Sequence, residues 1–443
     1  MRFTTSILFP SFFLSVTAFL PYPSLSLAFS ERPHPRSAFL ARLSGSTLGA
    51  FIQPMQNSQH QATSAFAMSL DDNAKNNSES GGDRAVKKIV AYHPLTINVK
   101  GVMVPVAVWH PAENNNAPDD YLQSSGRSST SSGSAVSYNH RISVKKIGKL
   151  LAGLNFIPSF AYRDFPLDPS SDNLNTNIQV ISSGSSTAIS SANSANVNLP
   201  STAPVVILAH GYLGSRFDLS HLGETLASEG FLVLSPEYPE SLADSYDPLL
   251  DITSGRTIDR TLITNELLST LTSQWKVQPT AFGIVGHSLG CGTVERTGDD
   301  SWSRVCLAGY PSSRGSSTLF VGSTNDGAVP LSRAMEALGA LNFVSLEKDQ
   351  VIRTTGQYNN KSLFPKRSYL IFDGDNAPNH ISFLAEGTCD AMVEFLSPLL
   401  PVARGLGIPL LDFDKYQVSR DSRQTGEVLL PLVVEYLKQT MQV

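Results

Sequence analysis

The chain has 443 residues, 41% of them hydrophobic, enough for one large α/β domain behind a presequence. A net charge of −5 and an isoelectric point of about 6.0 exclude the basic footprint of a nucleic-acid binder, and no basic stripe or zinc-finger spacing occurs. Three cysteines (Cys291, Cys306 and Cys389) cannot make a disulfide framework and are not spaced as metal ligands; Cys291 and Cys306 read as buried free thiols.

Residues 1 to 18 read as a signal peptide: Arg2 supplies the charge, Ile7 to Leu14 a short apolar core, and Val16-Thr17-Ala18 small residues at a cleavage site. A second cleavage site is Ser26-Leu27-Ala28. Beyond it, Arg32, Arg36 and Arg42 stand against one acid, Glu31, until Asp71, in a tract rich in Ser, Thr and Ala. That composition is transit-like. The Thr17-Ala18-Phe19 junction resembles the Ala-Phe motif of two-part presequences that lead into algal plastids of secondary origin, so plastid import is expected. Secretion, with a disordered pro-segment, is the alternative.

Folded sequence is expected from Ala85 to Val443. Leu95, Ile97 and Val99 alternate, Lys100-Gly101 can turn, and Val102 to Trp109 is strand-like, which predicts a hairpin. Residues 112–137 and 170–200 are polar and low in complexity and read as flexible loops. Between them, Ile142, Val144, Ile147, Leu150, Leu151 and Leu154 recur at helical spacing beside Lys145, Lys146 and Lys149. This reads equally as a packed helix or as a lid that touches a membrane surface.

From Pro204 the pattern is regular. Val205–Ala209 is a buried strand followed by the loop His210-Gly211-Tyr212. Leu219, Leu222 and Leu226 give a helix face closed by Gly230, and Phe231–Leu234 is the next strand. Ile263, Leu267, Leu271 and Trp275 line one side of an amphipathic helix, and Phe282–Val285 is a further strand. Val305–Leu307, Thr318–Val321 and Tyr369–Phe372 are short strands, and a last helix covers Glu427 to Lys438. Strands alternating with helices predict an α/β fold with a doubly wound, mostly parallel sheet.

The strand at Phe282 runs into Gly286-His-Ser288-Leu-Gly290, a Gly-x-Ser-x-Gly that opens a helix. This is the pattern of a nucleophile elbow, with Ser288 in strained backbone and glycines where a β-carbon would collide. A serine needs a base, and the base an acid, in the chain order Ser, acid, His. His380 is the only histidine after Ser288, in a turn-rich loop behind a strand; His287 leaves the elbow beside the serine. Asp326 is the first choice of acid because it follows the Thr318 strand, at the edge where open parallel sheets place their sites. Asp373 and Asp375 are nearly as well placed; Asp299 and Asp300 precede a strand, the wrong end. The oxyanion donors are the N–H groups of Leu289 and Tyr212, with Gly211 admitting close backbone approach. The scheme calls for no metal or organic cofactor.

Val205-Val-Ile-Leu-Ala-His-Gly-Tyr-Leu-Gly-Ser-Arg216, Ala227-Ser-Glu-Gly-Phe-Leu-Val233 and Gly286-His-Ser-Leu-Gly290 together resemble the α/β-hydrolase superfamily. Within it they are most similar to the platelet-activating-factor acetylhydrolase, dienelactone hydrolase and chlorophyllase-like group. Acetylhydrolases place the acid after the strand that follows the elbow; here that position reads Leu307-Ala-Gly-Tyr-Pro311, without an acid. Asp326, one strand later, resembles the dienelactone-hydrolase arrangement. The resemblance implies a serine hydrolase of carboxylic esters, with a lipophilic or acyl-lipid substrate; a phytyl-ester hydrolase of the chlorophyllase kind is the alternative. A non-catalytic binding protein on the same fold would leave a triad role empty, and here each has a candidate.

Overall fold

The computed structural model describes residues 88–112, 136–147, 162–169, 178–182, 198–244, 258–310, 317–334, 351–354, 364, 367–397 and 420–443. The expectations for the signal peptide and transit tract lie outside these residues.

The described residues open with the expected hairpin. β1 (Lys88–Val99) pairs antiparallel with β2 (Val102–Pro111), closing at Val99↔Val102. Lys100 and Gly101 both take positive φ, 50° and 89°, as a two-residue turn that follows strand twist requires. The side-chain oxygen of Asn98 accepts the Gly101 N–H at 2.7 Å.

β3 (Tyr138–Ser143) and β4 (Tyr162–Leu167) then form a small antiparallel sheet of their own. This corrects the expected helix in part: Ile142 lies in a strand, whereas Val144 and Ile147 lie in helical backbone over 144–147. Tyr138, His140 and Ile142 are buried while Asn139 is exposed, so period two wins where period 3.6 also fitted the apolar residues. Leu150, Leu151 and Leu154, the rest of the expected helix, lie outside the described residues. The small sheet is anchored by a buried lysine. Lys146 Nζ donates to the carbonyls of Ser241 at 3.0 Å and Ala243 at 2.7 Å, and Ser143 N–H donates to Leu242 O at 2.9 Å.

The 170–200 tract is not all loop. β5 (Ile178–Ser182) runs parallel to β1 at the sheet edge, with Ile178 and Val180 buried. Two buried β-branched residues at alternate positions suffice to seat an edge strand that the surrounding serines obscure.

The rest is the regular alternation read from the sequence. β6 (Thr202–Ala209), β7 (Leu232–Pro236), β8 (Gln278–His287), β9 (Ser303–Leu307), β10 (Ser317–Ser323), β11 (Val351–Thr354) and β12 (Arg367–Phe372) complete a sheet ordered β11-β12-β10-β9-β8-β6-β7-β2-β1-β5. Among the described residues only β2 runs antiparallel to its neighbours in this sheet.

Both faces are covered. Val206 and Leu208 of β6 join the core beneath the helices Ser220–Ser228 and Ser422–Met441. Val205 and Ala209 point the other way, toward Ile263, Leu267 and Leu271 of the helix Arg260–Ser273, and Ile207 toward Val294 of the helix Gly290–Arg296. Burial from both sides is why β6 reads as a continuous apolar run. Among the described residues no helix is long and apolar enough to cross a membrane.

Candidate active site

Four parallel strands end at one edge of the sheet, and the loop after each carries one part of the site. β8 runs straight into Ser288, which sits at φ 52° with its N–H donated to Leu307 O at 2.9 Å. The flanking glycines have no room for a side chain. A β-carbon on Gly286 would lie 2.5 Å from the Gly290 backbone, and one on Gly290 would lie 2.0 Å from Ala209 O. Leu213 (φ 63°) and Ala308 (φ 47°), in the loops after β6 and β9, hold the same left-handed backbone. Such strain persists where surrounding packing over-determines it, typically at functional sites.

Ser288 Oγ lies 2.9 Å from His380 Nε2, and His380 Nδ1 lies 3.0 and 3.1 Å from the two oxygens of Asp326. A carboxylate can only accept, so Nδ1 carries the proton and Nε2 is left to accept from the serine hydroxyl. Asp326 is fixed in turn: its Oδ1 also takes the N–H groups of Ala328 at 3.0 Å and Val329 at 2.8 Å. The alternative acid Asp373 instead takes the N–H of Gly374 at 2.9 Å, and Asp375, Asp299 and Asp300 are exposed.

The His380 loop is tied down from three sides. Asn379 caps the single 3₁₀ turn His380–Phe383, accepting from Ile381 N and Ser382 N. Asn325 Nδ2 donates to Ala377 O at 3.1 Å, and Ser323 Oγ donates to Pro378 O, joining the loop to the end of β10. His287, set aside as a base, donates from Nε2 to the carbonyl of His380 at 2.9 Å. Burial, and then the His380 charge, push His287 down to about 3, so it stays a neutral donor.

The His210-Gly211-Tyr212 loop passes against the nucleophile. A β-carbon on Gly211 would lie 3.2 Å from Ser288 Cβ and 3.1 Å from His287 Nδ1. Leu289 caps the helix after the elbow, so its N–H has no partner within that helix. A cavity of about 10 Å³, no more than a single water needs, is lined by Gly211, Asp218, Ser288 and His380 together with the apolar Ile381, Leu384 and Met392. Asp218 was not anticipated from the sequence. Burial raises its carboxyl to about 7, opposed by the N–H of Ser215.

One residue, Arg260, and the role of another, His210, escaped the sequence reading. Arg260, 1% exposed, reaches the carbonyls of His210 and Gly211 from the first position of its helix. His210 itself bridges Gly211 O, at 2.8 Å from Nδ1, and Tyr238 N, at 2.9 Å from Nε2. The three cysteines are free and buried. Among the described residues no group of three or more His, Cys, Asp or Glu could hold a metal ion.

A mostly parallel sheet covered on both faces, with an elbow serine at its carboxyl edge, is the α/β-hydrolase fold. In sequence, the family described as "Platelet-activating factor acetylhydrolase, isoform II" matches residues 171–247, the stretch holding β5, β6, the His-Gly loop and β7. No curated protein matches the chain. Among solved structures, a ferulic acid esterase from Streptomyces cinnamoneus is similar at 15% identity and TM-score 0.40, over 81% of this chain and 91% of that one. A dienelactone hydrolase from Anabaena variabilis is similar at 12% identity and TM-score 0.32, over 70% of this chain and 97% of that one.

Proposed function

We propose that the protein is a serine-dependent hydrolase of carboxylic esters. The observation that carries this is the unbroken relay from Ser288 Oγ through His380 to Asp326, at 2.9 and 3.0 Å, at the end of an elbow strand. His380 Nε2 takes the serine proton as Oγ attacks the ester carbonyl. The N–H groups of Leu289 and Tyr212 hold the oxyanion. The tetrahedral intermediate collapses, the leaving alcohol takes the proton from Nε2, and an acyl-serine remains. Water then attacks the acyl-serine, losing a proton to Nε2, and Nε2 returns it to Ser288 Oγ as the acid leaves. Asp326 holds the Nδ1–H tautomer and balances the imidazolium.

The substrate is an ester with apolar groups. Leu289 (37% exposed) and Tyr310 (46% exposed) support this, as large side chains that follow the nucleophile and β9 at the same edge. The match to an acetylhydrolase family supports the same class. The presequence composition supports delivery to a plastid.

The test is Ser288→Ala. The variant should fold as the wild type does and lose hydrolysis of 4-nitrophenyl acetate and labelling by a fluorophosphonate. Turnover within about tenfold of the wild type removes Ser288 from the mechanism.

A further inference from the structure

We propose that Arg260 is a positioning residue for the oxyanion hole, acting through the carbonyl of Gly211. The inference rests on the ester-hydrolase reading above and goes one residue deeper into it.

The peptide that joins Gly211 to Tyr212 is a rigid plane. The carbonyl of Gly211 and the N–H of Tyr212 belong to one trans peptide, so they point in opposite directions. Whatever holds the carbonyl aims the N–H. Two donors hold it: Arg260 Nη2 at 3.2 Å and His210 Nδ1 at 2.8 Å. The His210 proton has one place to be. Tyr238 N–H donates to Nε2, so Nδ1 must carry the hydrogen that goes to Gly211. Burial, and then the Arg260 charge, hold the His210 pKa well below the ordinary value, which keeps that tautomer neutral. Arg260 also fixes the preceding peptide, with Nη1 at 2.8 Å from His210 O.

The guanidinium is itself pinned. Nε donates to Glu240 at 3.0 Å, Nη1 reaches Thr293 Oγ1 at 3.4 Å, and Cζ lies over the Tyr238 ring, 4.5 Å from its centre. Thr293 belongs to the helix that Leu289 caps. One buried cation therefore touches both oxyanion-donor segments, the loop carrying Tyr212 and the helix after the elbow. A charged donor on a peptide carbonyl also polarises that peptide and strengthens its N–H toward a developing negative charge. Helix stability does not call for this residue. A positive charge at the first position of a helix opposes the helix dipole, so Arg260 stands where the dipole alone would prefer an acid.

The test uses the purified full chain as wild type, Ser288→Ala, Arg260→Lys and Arg260→Gln. Active sites are titrated with a fluorophosphonate, and kcat for 4-nitrophenyl acetate is expressed per labelled serine, which removes any misfolded fraction. Inhibition by a trifluoromethyl ketone, which forms a tetrahedral adduct on the serine, is measured alongside. The expected result for both Arg260 variants is a kcat per site lower by roughly 10- to 100-fold, somewhat below the loss of a whole oxyanion donor. KM should move less than about threefold, and the ketone should weaken by the same factor as kcat/KM. A kcat per site within about twofold of the wild type in Arg260→Lys overturns the inference, and that variant decides even if Arg260→Gln does not fold. A wild type that neither turns over nor labels at Ser288 overturns both the hydrolase reading and this inference. An active wild type with a silent Ser288→Ala and an unaffected Arg260→Lys overturns the inference alone.

Discussion

Replacing Asp326 by asparagine removes a charge while keeping a shape, and the surrounding hydrogen bonds dictate how the new amide must sit. Oδ1 already accepts the N–H groups of Ala328 and Val329, at 3.0 and 2.8 Å. Only an oxygen can stay there, so the new NH₂ occupies the Oδ2 position, 3.0 Å from His380 Nδ1. There it donates, Nδ1 becomes the acceptor, and the imidazole proton moves to Nε2. Nε2 then faces Ser288 Oγ at 2.9 Å with a proton of its own and cannot take the serine's. The expected loss in kcat is roughly 10³ to 10⁴, about 4 to 5.5 kcal/mol of transition-state stabilisation, with a smaller change in KM. Asp373→Asn disturbs an exposed bond to Gly374 N and should lower kcat less than about tenfold, and Asp375→Asn less still. The assay is steady-state hydrolysis of 4-nitrophenyl acetate by the three variants at matched folded concentration. A mild Asp326→Asn beside a crippling Asp373→Asn or Asp375→Asn refutes both the acid and the tautomer argument.

Acid should destabilise the fold steeply. Burial pushes His93 down to about 4 and His140, His221 and His287 to about 3, so between roughly pH 6.5 and pH 4 the unfolded chain binds protons that the folded one refuses. Stability is full above the unfolded value and is lost as pH falls through that window, by about 1.4 kcal/mol per pH unit for each such histidine. Asp218, raised to about 7 by burial, works in the opposite direction and offsets roughly one of them. Thermal unfolding should show a markedly lower midpoint at pH 5 than at pH 7.5; an equal or higher midpoint contradicts the buried neutral histidines. The native protein should begin after residue 18 and be shortened again before about Ala85. Amino-terminal sequencing that finds residue 40 intact refutes the transit-tract reading.

The parts of the site that were legible in the sequence are those whose chemistry is local. An apolar run ending in Gly286-x-Ser288-x-Gly290 specifies strand, turn and helix within a dozen residues, and the edge of a parallel sheet then orders the loops that follow. The Ser288 to Asp326 pairing was reachable because Asp326 follows the Thr318 strand, at the edge where open parallel sheets place their sites. What escaped depends on partners distant in sequence. Ile142 fitted a helix until its strand met Tyr162–Leu167, and β5 was hidden by its serines. Arg260 drew no reading from the sequence because its partners are carbonyls 49 and 50 residues upstream. Its one local signal was a cation at the wrong end of a helix.

Leu213, Ser288 and Ala308 hold left-handed backbone with a β-carbon in place, each at a cost on the order of 1 to 2 kcal/mol that glycine would relieve. The cost attaches to the position and is indifferent to the hydroxyl. Reactivity and folding are therefore opposed at residue 288: a lineage kept only for its fold would drift from serine toward glycine there and become more stable for it. The serine stands against that gradient. A descendant that had lost its substrate would betray the loss first in a relaxed elbow, before its histidine or its aspartate had changed.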